Sequence, residues 1–64
     1  MEWTEKETQN LKLAMMKKYG KTSIHSVAQE LSISRQTIYK ILKNSPYTEK
    51  QRENLRKWVK NSLN

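Results

Sequence analysis

Cysteine is absent from this chain, which excludes disulfide staples, thiolate zinc sites and thiol nucleophiles. A single histidine, His25, leaves a metal without a ligand set. There is one glycine, Gly20, and one proline, Pro46, and each marks the end of a helical segment. No apolar run approaches the ~18 residues of a membrane span. The first residues are acidic and polar, unlike a signal peptide. There is no repeat, no low-complexity run and no strand-like alternation. Glycine-rich phosphate loops and Ser/His/acid sets are missing too, so neither an enzyme nor a cofactor or metal protein is expected. The 64 residues allow one domain, 1–64, with one small core built from helix packing alone.

The net charge of +7 is unevenly spread. Residues 1–7 carry three Glu against one Lys, whereas residues 8–64 carry twelve Lys or Arg against three Glu. A cationic body of this kind suits a polyanion. Binding to a membrane surface would need a helix face rich in exposed Trp and Leu, and the apolar faces here are taken by the core. Double-stranded DNA is the expected partner, with no membrane. A reducing cytoplasm, in a bacterial cell or its nucleoid, is the compatible compartment.

Helix ends can be read from capping chemistry. Thr4 and Glu7 form a capping box at the start of a helix that runs to Tyr19 and stops at Gly20, behind Lys17 and Lys18. Leu11, Ala14, Met15 and Tyr19 make its inward stripe, and Leu13 and Met16 fall outside it. Trp3, before the cap, is expected to pack over the helix end. Ser23 caps a second helix, Ile24 to Leu31, and Ser34 a third, Arg35 to Lys43. Asn44-Ser45-Pro46 ends the third. Thr48 and Gln51 suggest a second capping box for a last helix to about Ser62, with Leu55, Trp58, Val59 and Leu63 inward and a Glu53–Lys57 pair outside. The expected fold is all-α, a small bundle of four to five helices.

The stretch IHSVAQELSISRQTIYKILK, residues 24–43, carries the most information. Ile24, Val27, Ala28 and Leu31 follow the i, i+3, i+4, i+7 rule, while Ile38, Ile41 and Leu42 share one side of the next helix. The intervening Leu31-Ser32-Ile33-Ser34 has room only for a sharp corner. Small Ala28 suits the closest approach of two crossing helices. This is a helix-turn-helix, whose second helix is shaped for the major groove.

On these residues the chain resembles the lambda-repressor-like and Cro regulators. The run SVAQELSISRQTIYKILKNS is also similar to the headpiece of lac-repressor-type proteins, and SRQTIYKIL to the DNA-reading ends of resolvases. The lambda-repressor-like arrangement implies flanking helices before and after the motif. Two departures stand out: Ser32 occupies the usual glycine position of the turn, and Ile24-His25 replaces a common Gln. A left-handed Ser32 would cost about 1 kcal/mol relative to Gly.

The resemblance implies base contacts from the first two residues of the third helix and from the residue four beyond the second, here Arg35, Gln36 and Lys40. Arg and Lys suit guanine O6 and N7, and Gln suits adenine N6 and N7. Phosphate contacts are expected from Ser23 and the N–H groups beside it, and from Ser34, Thr37, Tyr39, Lys43 and Asn44. Tyr47 and Lys50 lie just beyond and are further candidates to touch the flanking backbone. The resulting expectation is a sequence-specific transcriptional regulator, a repressor of phage or mobile-element type. It would act as a homodimer at least on DNA, with Leu13 and Met16 or Trp58 and Leu63 at the seam, and a regulatory protein partner is a further possibility. Two alternatives stand beside it: an accessory factor for recombination or excision, and a protein-binding adaptor or antirepressor.

Overall fold

Four helices make up the structure, a computed structural model that describes residues 1–64. They are α1 (Glu5–Tyr19), α2 (Ile24–Leu31), α3 (Arg35–Leu42) and α4 (Glu49–Leu63), with no strand. The three amino-terminal helix starts follow their capping residues. Thr4 Oγ1 accepts from the Glu7 N–H, and the Glu7 carboxylate accepts the Thr4 N–H at 2.9 Å. Ser23 and Ser34 accept from the N–H groups of Ser26 and Thr37. At the other end of α1, Gly20 takes the left-handed conformation with φ 75° and donates its N–H to Met16 O.

The corner between α2 and α3 is turned by Ser32 at φ 56°, ψ 41°. Its neighbour Ile33 donates to Ala28 O at 3.0 Å. A side-chain-bearing residue therefore holds a conformation that favours glycine, as the motif required. α3 ends at Leu42, one residue before the expected Lys43, and Asn44 is also left-handed at φ 59°.

α4 departs from expectation at its start. Thr48 does not form a capping box with Gln51: its backbone is not extended, and no side-chain cap bond is made. Its hydroxyl instead donates backwards to Ser45 O at 2.8 Å, and the residue is buried. The expected Glu53–Lys57 pair is likewise replaced by Glu53–Arg56 at 3.0 Å.

The core unites Leu11, Ala14 and Met15 of α1, Val27 and Ala28 of α2, Ile38 and Ile41 of α3, and Leu55 and Val59 of α4. α1 packs chiefly on α4, α2 on α3, and α3 on α4. Trp3 is part of this core and not merely laid over a helix end, being only 4% exposed. Trp58 sits at its edge, stacked on Tyr19 with ring centroids 6.1 Å apart and its Nε1 donating to Glu30. Leu63, expected inward, is 36% exposed, and Arg52 takes a buried place on α4. Leu13 and Met16 face outward, as their position off the stripe implied. No helix is long and apolar enough to cross a membrane.

Candidate nucleic-acid interface

α3 is built on two sides. Ile38 and Ile41 are fully buried, which fixes the rotation of the helix about its axis. With that face inward, Arg35, Gln36, Tyr39, Lys40 and the adjoining Lys43 are exposed together. Arg35, Lys40 and Lys43 form no ion pair; the pairs in the molecule are Lys18–Glu30, Arg56–Glu7 and Arg56–Glu53. Their charge is therefore turned outward without a protein counter-charge. Thr37 is half-buried, and its hydroxyl lies 2.9 Å from that of Ser34.

The other candidate phosphate ligands differ in what they have free. Ser23 is half-buried, its hydroxyl 2.8 Å from that of Ser26 and its N–H donated to Met15 Sδ. What remains open at the start of α2 is the main chain of Ile24 and His25, whose N–H groups precede the first intrahelical bond. Asn44, also expected as a phosphate ligand, is engaged within the fold. Its Oδ1 accepts the Trp3 N–H at 2.6 Å and its Nδ2 donates to Trp3 O at 3.0 Å. The side chain thus staples the amino-terminal segment to the end of α3.

Sequence reasoning missed the residues that hold this arrangement from behind. Arg52, buried in α4, donates to Met1 O at 2.8 Å and to Ser45 O at 3.3 Å. Arg56 donates to the carbonyls of Met1 and Glu2, pairs with Glu7 and Glu53, and lies 5.7 Å from the centre of the Trp3 ring. The only sequence signal was that both arginines fall within two turns on the side of α4 that carries Leu55 and Val59.

Electrostatics follow the same division. The Arg56 guanidinium holds the Glu7 carboxyl below its usual range, and Glu7 in turn raises Arg56. Trp58 N–H and Lys18 lower Glu30. Burial pushes the Tyr19 hydroxyl up to about 12, with the Glu30 carboxylate adding to the effect. All four groups belong to the packing of α1 and α4 with the end of α2, away from the exposed face of α3.

The family described as the helix-turn-helix domain of resolvase matches residues 5–45. Among curated proteins and among solved structures, nothing matches the chain. The matched span contains α1, α2 and α3 and stops before α4. It includes the run from Ser34 to Leu42 whose likeness to resolvase ends was noted from the residues.

Proposed function

Because the chain belongs to the resolvase helix-turn-helix family of DNA-binding domains, we propose that it binds duplex DNA sequence-specifically, with α3 in the major groove, as a transcriptional regulator of the repressor kind. The observation that carries this is the exposed, ion-pair-free face of Arg35, Gln36 and Lys40 on a helix whose rotation is locked by Ile38 and Ile41. In this reading Arg35, Gln36 and Lys40 meet base edges. Ser34, Thr37, Tyr39 and Lys43 set the docking through phosphates, together with the free N–H groups after Ser23.

Selection of binding sites from a random duplex pool tests the proposal. An enriched motif is the expected result, with affinity falling steeply in salt. About five neutralised phosphates per subunit would give a log–log slope near −4 to −5. Recovery of no motif at moderate salt would reject DNA reading and favour the adaptor or antirepressor role. The same pool reports symmetry: a homodimer on DNA predicts paired half-sites about one helical turn apart, and sedimentation of the complex counts the subunits.

A second reading is supported by the family match itself. A resolvase-type helix-turn-helix fits an accessory factor for recombination or excision equally well. The two roles part on where the selected motif occurs, at promoters for a regulator and at recombination ends for an accessory factor.

A further inference from the structure

We propose that the turn between α3 and α4, together with the first turn of α4, is a second DNA-contacting element, in which Tyr47 and Lys50, with Lys43, hold the phosphodiester backbone beside the groove that α3 enters. The inference rests on the groove-binding reading above and adds a site to it.

Tyr47 is 92% exposed. A ring so bare usually marks a loose loop, but this turn is tied down residue by residue. Asn44 is locked in the left-handed conformation by its two bonds to the Trp3 main chain. Ser45 donates its N–H to Lys40 O at 3.0 Å, and its carbonyl accepts from the Thr48 hydroxyl and from Arg52. Pro46 fixes its own φ. Trp3, Thr48 and Arg52 are all buried beneath the turn. The backbone is therefore anchored from inside, while the Tyr47 side chain stands almost wholly in solvent. That combination displays a side chain.

The neighbours of Tyr47 give the display a chemical sense. Lys43 and Lys50 are exposed and form no ion pair. Glu49, the one carboxylate of the stretch, is exposed and equally unpaired. A phenol that donates to a non-bridging oxygen, on a segment that also carries two free ammonium groups, matches a phosphate better than a base edge. Because the turn directly follows α3, the proposed docking sets it against the backbone that borders the groove α3 occupies.

The test uses the full chain and a duplex carrying the selected motif with flanking base pairs. Tyr47→Phe, which removes only the hydroxyl, should weaken binding by about 3- to 10-fold. Lys50→Ala should flatten the salt slope by about one. Neither variant should alter base preference, because phosphates carry no sequence, and Glu49→Gln should tighten binding. All three side chains are exposed, so melting temperatures should match the parent protein. If Tyr47→Phe and Lys50→Ala leave affinity and slope unchanged while Lys40→Ala still shifts base preference, the second contact is refuted and the groove reading survives. If the parent protein shows no sequence preference at all, both fall together.

Discussion

Two groups of cations in this small protein serve opposite purposes. On α3, just after it and at the start of α4, Arg35, Lys40, Lys43 and Lys50 are exposed and without acid partners. On α4, Arg52 and Arg56 are turned inward and spend their donors on the carbonyls of Met1, Glu2 and Ser45 and on Glu7 and Glu53. Charge of one sign is thus left free for a ligand in the first group and engaged as structure in the second. A net charge of +7 overstates the surface offered to a polyanion, and position decides which cations count.

If the division is real, it should break in two separable ways. The largest expected effect is on stability. Arg52→Met keeps most of the apolar stem but removes two charge-assisted hydrogen bonds, to Met1 O and Ser45 O, which should cost about 2–3 kcal/mol even though Arg56 and Thr48 still donate to those carbonyls. In a chain this small that lowers the melting temperature by roughly 10 °C or more, with base preference intact in the fraction still folded. Survival of the full melting temperature would mean that Arg52 is as dispensable as a surface lysine.

The converse substitutions come next. Arg35→Ala, Gln36→Ala and Lys40→Ala should each lose ~1–3 kcal/mol of discrimination at one base position, while thermal unfolding stays where it was. Binding profiles that remain unchanged in all three would remove α3 from the reading role.

Ser32→Gly sharpens the picture from the side of the corner that joins α2 and α3. With Ser32 at φ 56°, glycine should raise stability by about 1 kcal/mol. Calorimetry should show the melting point rising by roughly 4–8 °C, and a fall would show that the serine side chain contributes something the backbone does not reveal.

The smallest effect is that of acid. Glu7 and Glu30 are both held below the usual carboxylate range, by Arg56 and by Trp58 with Lys18. The unfolded chain therefore takes up protons at higher pH than the folded one. The stability these groups supply is complete above roughly pH 5 and is lost as pH falls through their depressed values. For the partly exposed Glu7–Arg56 pair it should amount to less than about 1 kcal/mol. Glu7→Gln should shrink the acid-side slope of a denaturation series; an unaltered slope would assign it to other carboxylates.

How much of this was visible in the residues depended on sequence separation. Thr4, Ser23, Ser34 and Gly20 were legible because each acts within one helical turn, where spacing alone sets the geometry. The exposed face of α3 followed from the inward positions of Ile38 and Ile41. The staple from Asn44 to Trp3 spans 41 residues and the bond from Arg52 to Met1 spans 51, so no local pattern announces them. Asn44 is instructive, since its place after α3 suggested a phosphate ligand while nothing local announced its two bonds to Trp3. Thr48 erred for a related reason. Its hydroxyl had a choice between the helix ahead and the carbonyl behind, and in its buried place it took the carbonyl of Ser45.

The clasp at the amino-terminal end grips main-chain oxygens of Met1 and Glu2, which every amino acid possesses, whereas the adjoining pocket is filled by the indole of Trp3. Positions 1 and 2 are consequently free to drift in identity, or to carry a fused peptide whose backbone keeps the same path, without loosening the grip. Position 3 has no such freedom.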